Sequence, residues 1–209
     1  ADPSFRDLKT KKCLIELVNE NLAQNLSNSE SLSMMQLLSD SFMQSIVQNN
    51  LLAIRQYLQG GFDINNLSNA KINLPDNNSY LHWACMYSNE AIIRLLLENG
   101  ANVNAVNKYG ATPLHEAIIR KTNKEETLRI IETLLIYKSD AIHTKGTSGI
   151  FKDQNALDLA YSRYTSDPEI YNLIKDFLSD ISSLHSSSSM PNSPQPFNKP
   201  VLQAQNSVN

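Results

Sequence analysis

Residues 79–110 read SYLHWACMYSNEAIIRLLLENGANVNAVNKYG, and residues 112–142 read TPLHEAIIRKTNKEETLRIIETLLIYKSDAI. Leu81-His82 and Leu114-His115 stand 33 positions apart, each His followed two residues later by an alanine, Ala84 or Ala117, and then by an apolar run. A fixed period in this range marks an array of small stacked units rather than a mixed fold. Each unit also reads as a helix pair on local grounds. Between Glu90 and Glu98 the apolar residues Ala91, Ile92, Ile93, Leu95, Leu96 and Leu97 are too dense for a surface helix, so neighbouring units must cover it on most sides. Gly100 stands where a helix end favours positive φ. Pro113 suits a first helical turn, and Thr112 before it suits a cap.

These two copies resemble the ankyrin repeat, whose pattern of TPLH-x-A, an apolar outer helix and G-A-x-V-N is nearly complete in Leu81–Asn104. The resemblance implies an all-α solenoid of helix-turn-helix units with β-turn finger loops. Two weaker copies flank the pair. Phe42–Asn65 has the outer helix and the ending Gly61-Phe62-Asp63-Ile64-Asn65 but no TPLH, and Asn155-Ala156-Leu157-Asp158-Leu159-Ala160 replaces TPLH before a helix at 168–177. Asp167 and Pro168 open that helix, and Ile170, Leu173, Ile174, Phe177 and Ile181 form its stripe. Four repeats are expected over 39–181, at about 39–66, 74–106, 107–143 and 150–181. The outer two are degenerate because a terminal unit must face water on one side. The segment Leu67–Asn78 is long for a linker and should bulge as a mobile, Asn-rich finger loop; the third copy carries Lys138 for the usual Gly and extra residues around 122–126, in the turn between its helices.

Residues 1–38 read as an N-terminal extension of two helices. The first carries Ile15, Val18, Leu22 and Leu26; the second opens at Ser27-Asn28-Ser29-Glu30 and holds Leu32, Met35 and Leu38. It caps the first repeat, or, with Lys9, Lys11 and Lys12 at its start, joins a neighbouring domain or a second chain. Residues 182–209 form a Ser/Pro-rich tail too poor in apolar residues to fold, with Ser193-Pro194 as a candidate phosphorylation site.

The chain has 209 residues, 41% apolar and 19% charged, with a formal charge of −3, which supplies no basic field for nucleic acid or acidic lipid. Its longest apolar runs fall far short of a bilayer span, and no charged-then-apolar leader opens it. Two cysteines, Cys13 and Cys85, fit packed thiols in a reducing compartment. The expected location is cytoplasmic, with the nucleus or the cytoplasmic face of a membrane as alternatives.

His82 and His115 are the first candidates for chemistry. Successive units of a stack place them side by side, yet no Cys, Asp or Glu recurs around them at ligand spacing, and structural zinc needs four ligands. The resemblance implies instead that each imidazole bonds the backbone of the adjoining turn. His143 and His185 have no nameable partner. No nucleophile motif and no phosphate-cradling Gly loop occurs, the six glycines being spent on turns. The reading is of a noncatalytic chain without metal or cofactor.

By resemblance, a protein partner would meet the finger loops and the exposed face of the inner helices. Carried over by position, these are Val106, Lys108, Tyr109 and Ala111 in the finger between the second and third repeats. Met86, Tyr87, Ile119, Arg120 and Arg163 stand on the inner helices, with Trp83 and Glu116 at a position usually held by Leu. Val47, Gln48 and Ser162 are the corresponding residues of the end copies. Aromatic residues, Met and Arg are enriched at interfaces, so the expected partner is a protein segment with an apolar anchor and acidic neighbours, bound by a monomer. The leading reading is a scaffold or adaptor in signalling. The alternative is a regulatory or targeting array attached to an enzyme such as a GTPase-activating protein, a kinase or an acyltransferase.

Overall fold

A computed structural model of the protein describes residues 29–65, 74–137, 143–163 and 168–186. Among these, eight helices follow one another: α1 (Ser29–Val47), α2 (Leu51–Gln59), α3 (Tyr80–Tyr87), α4 (Glu90–Glu98), α5 (Pro113–Ile119), α6 (Lys124–Ile136), α7 (Ala156–Ser162) and α8 (Pro168–Ser186). They pack as four antiparallel pairs, α1 with α2, α3 with α4, α5 with α6 and α7 with α8. The first members form an inner row in which α1, α3, α5 and α7 touch in succession, and α4, α6 and α8 form an outer row. The stack of helix pairs expected from the 33-residue period is therefore present.

Helix ends in this Asn-rich chain are closed largely by asparagine. Asn50, Asn89, Asn123 and Asn155 each accept a hydrogen bond from a first-turn amide. At the other end of α4, Gly100 adopts φ +86° as the sequence requires. A side chain there would be strained, which is why the helix stops where it does.

The structure departs from the sequence reading at the end of α8, which runs past 177 to Ser186 and into the residues read as the start of the tail, and in two further places. First, α1 is one unbroken helix of 19 residues, so the border drawn between extension and first repeat at residue 38 falls inside it. The reason is visible in its burial: Met35, Leu38, Ser39, Phe42 and Ile46 form one buried stripe at helical spacing, with no breaker among them. Second, the extra residues of the third repeat go mainly into α6, which has 13 residues against 9 in α4. The Lys-Glu-Glu run after Asn123 is a capped first turn rather than a loop. The Ile15–Leu26 stripe, Cys13, Lys138, the loop at 66–73 and the Ser193-Pro194 tail lie outside the described residues.

The core changes character along the stack. Phe42 gathers Tyr57, Phe62 and Tyr80 at ring-centroid distances of 5.2, 4.6 and 4.9 Å, edge-on to the two tyrosines. The buried Tyr80 hydroxyl is matched by Ser39 Oγ at 2.6 Å, so the aromatic cluster leaves no polar atom stranded. Farther along, the core is aliphatic, built on Ile92, Ile93, Leu96, Leu114, Ile118, Ile130, Ile131 and Leu134. Among the described residues, no helix is long and apolar enough to cross a membrane.

Candidate partner-binding surface

The two histidines are structural. Nδ1 of His82 accepts from the Ser79 amide at 3.1 Å, which leaves the ring proton on Nε2 to be donated to the Ala111 carbonyl of the next repeat at 2.9 Å. His115 repeats the device, accepting from the Thr112 amide at 3.2 Å and reaching the Gln154 carbonyl at 3.3 Å. Burial pushes His82 down to about 4, and burial lowers His115 in the same direction, so both rings are neutral near pH 7. In the fourth repeat Asp158 takes this position and accepts from the Asn155 amide at 3.2 Å. Cys85 is fully buried, and burial pushes its thiol up, away from the reactive thiolate. No group of three or more potential metal ligands occurs among the described residues.

The inner helices present the candidate face. Tyr87, 52% exposed at the end of α3, stacks on Trp83 one turn earlier with ring centroids 5.4 Å apart and planes 26° from parallel. Met86 and Ile119 are half-buried beside them in the same row of helices. The Trp83 indole N–H is buried without a hydrogen-bond partner.

One register carries two different jobs. Arg120 and Arg163 occupy the position that Tyr87 holds in the second repeat, but their guanidinium groups turn onto the preceding repeat. Arg120 donates through Nη1 to the Cys85 carbonyl at 3.0 Å and through Nε to Thr122 Oγ1. Arg163 donates to the Ile118 carbonyl, one repeat on from Cys85, and to the Arg120 carbonyl at 3.4 Å. A cation suits these positions because the last carbonyls of a helix lack partners and carry partial negative charge. Both arginines, read from sequence as partner-facing residues of the inner helices, thus also clamp the stack.

The finger between the second and third repeats is organised by a residue that sequence reading passed over. Asn107 accepts from the amides of Tyr109 and Ala111 at 2.9 and 3.0 Å, and donates to Asn78 and to Glu116 Oε1 at 2.9 and 3.1 Å. The available signal was Asn107-Lys108-Tyr109-Gly110, since Asn folds onto its own backbone two residues on and Gly110 has φ +72°. This leaves Val106 57% exposed at the tip. Lys108 is exposed too, paired with Asp76 and placed 4.9 Å over the Tyr109 ring.

Two predicted contact residues are corrected. Ala111 is fully buried and serves through its carbonyl, as the acceptor for His82. Glu116 is 6% exposed and faces Asn107 rather than solvent. Burial raises its carboxyl to about 7, against which the Asn107 bond works, and nearby Asp76 adds to the rise. Inner-helix residues at this depth underlie the finger, which shields what a bare helix would expose. Of the end-copy residues, Val47, Gln48 and Ser162 are exposed.

Comparison with known proteins agrees with this architecture. The model for ankyrin repeats, in three copies, matches residues 42–145. The chain is 33% identical over 112 residues to human BCL-6 corepressor-like protein 1, covering 53% of this chain and 5% of that protein. It is 40% identical over 67 residues to the putative ankyrin repeat protein FPV031 of fowlpox virus, covering 32% and 18% of the two chains. It is also 48% identical over 56 residues to the zebrafish (Danio rerio) palmitoyltransferase ZDHHC17, covering 25% and 9%. The chain therefore matches only a small part of the length of each of these relatives. The α7–α8 pair lies beyond the matched residues, yet packs against α5 and α6 as a fourth unit.

Proposed function

Because residues 42–145 are ankyrin repeats, a fold that generally mediates contacts between proteins, we propose that this chain is a noncatalytic interaction module, a scaffold or adaptor that binds a protein partner along its inner-helix row and fingers. The observation that carries this is Tyr87, exposed and stacked on Trp83 where the next two repeats place arginines that clamp the stack. An exposed aromatic pair offers a large, rigid contact area at small entropy cost. Val106 and Tyr109 extend the apolar surface in the finger, and Lys108 adds a cation whose pairing with Asp76 is solvent-exposed and therefore cheaply exchanged. The partner is accordingly a segment with an apolar anchor and an acidic neighbour, bound by a monomer in the cytoplasm or nucleus.

The test is capture of partners by the whole chain, repeated with Tyr87→Ala/Tyr109→Ala. The double variant should weaken the captured partner by more than about 1 kcal/mol if these are hot spots, with thermal unfolding unchanged. Equal binding by both forms overturns the map. A second reading, that the array is the targeting part of an enzyme, is favoured by the similarity to a protein named a palmitoyltransferase. Sequencing the gene on both sides of the region separates the two.

A further inference from the structure

The fingers lie at the N-terminal ends of the inner helices; a second feature lies at their C-terminal ends. There the α5–α6 turn, the start of α6, the end of α7 and Ile170 of α8 enclose a half-open cleft of about 100 Å³. Four cations line it, Arg120, Lys121, Lys124 and Arg163, together with the hydroxyl-bearing Thr122 and Thr127. This is a strong local excess in a chain whose formal charge is −3. Glu169 meets it, with its carboxylate 2.8 Å from Lys124 Nζ in an exposed pair, and Glu126 acts electrostatically on Arg120. Glu126 accepts from the Glu90 amide of the preceding repeat and lies 4.0 Å from Arg129, and Glu125 is exposed.

The two arginines are held in place before any ligand arrives. Each is tied to a carbonyl of a preceding inner helix, Cys85 or Ile118, and Arg163 reaches the Arg120 carbonyl as well. Holding like charges in one cleft is unfavourable unless an anion enters it, and donors fixed beforehand bind an anion without the entropy cost of ordering flexible side chains. The size suits one tetrahedral anion. Guanidinium groups match phosphate oxygens in pairs, while the lysines add point charge.

We propose that this cleft binds a single phosphate monoester carried on a side chain of a partner peptide. The peptide source rests on the partner-binding reading above; the anion site itself does not. A peptide is favoured over a phospholipid because the chain as a whole is negative and is repelled by an anionic bilayer.

The experiment is a two-dimensional amide NMR titration of the whole chain, at fixed ionic strength, with inorganic phosphate and separately with O-phospho-L-serine. Both should give saturable shifts confined to residues 120–124 and 163. Lys121→Gln/Lys124→Gln, both exposed in the wild type, should weaken both ligands on the order of tenfold. Lys145→Gln/Lys152→Gln, outside the cleft, should change nothing. Unsaturable or scattered shifts, or equal affinity in the cleft variant, would overturn the site. Phosphatidylcholine vesicles carrying phosphatidylinositol phosphate form a third arm. Capture by these through the same lysines, without a response to O-phospho-L-serine, overturns the peptide assignment in favour of a lipid. Failure of the Tyr87/Tyr109 test leaves the inorganic phosphate result standing, so the two readings fail separately.

Discussion

The junction of the second and third repeats and that of the third and fourth use the same parts with different tightness. At the first, His82 meets its carbonyl at 2.9 Å, Asn107 ties Asn78 to Glu116, and Lys108 pairs with Asp76. At the second, the equivalent imidazole reaches its carbonyl at 3.3 Å, and the finger is held mainly through backbone: Thr147 donates to the Tyr109 carbonyl at 2.7 Å, and a one-residue bridge joins Gly146 and Lys152. Side chains organise the finger of the central joint, whereas close backbone approach organises that of the distal one. A joint of the first kind fails by losing a group; a joint of the second fails by gaining one.

The largest test of this contrast is His82→Ala. It removes a buried ring and the acceptor of the Ser79 amide, leaving the Ala111 carbonyl to the Asn107 amide alone, and should cost about 4 kcal/mol in urea unfolding, with His115→Ala costing about half as much. Equal losses would erase the distinction. Next comes acid. His82 titrates near 4 when folded and near 6.5 when unfolded, so the unfolded chain takes the proton first. Its contribution is whole above pH 6.5 and is lost as pH falls toward 4, amounting to about 3 kcal/mol at the lower end. His82→Gln should flatten that slope.

Gly146→Ala probes the distal joint from the other side. An added Cβ would lie 2.4 Å from both the Phe151 Cβ and its carbonyl oxygen, so backbone must move, at about 2 kcal/mol. Hydrogen exchange should show the loss in α7 and α8 while α3 keeps its protection. The smallest effect belongs to Glu116→Gln. The carboxyl, raised to about 7 against a usual 4.5, contributes fully only below 4.5 and is lost as pH rises through 7. The amide variant should therefore be more stable by about 1 kcal/mol at pH 8 and unchanged at pH 4.5. A gain at both values would assign the effect to packing rather than charge.

Much of this array was legible because its determinants are local and periodic. The TPLH register, the Gly100 helix end and the dense apolar run of Glu90–Glu98 each state their own structure. Continuity of α1 was not, because the pattern borrowed from complete repeats begins at TPLH, which the first copy lacks, while the stripe from Met35 to Ile46 crosses the supposed border. The surface was legible only in part. Tyr87, Val106 and Lys108 are exposed where position alone placed them. Ala111 and Glu116 are not, since their burial depends on the finger folding over the inner helix, a nonlocal contact organised by Asn107. Arg120 and Arg163 gave the right residue type for a surface, but the carbonyls that hold them lie 35 and 45 positions back.

Trp83 is the single tryptophan of the chain, and it sits under Tyr87 with its indole N–H buried. The candidate surface thus contains its own optical reporter. Emission excited at the red edge of the indole band comes from this one site, without a dye or a tag. A ligand that covers or displaces Tyr87 alters the environment of the stacked ring and shifts the spectrum, whereas one that settles on the α7–α8 pair leaves it dark to the event.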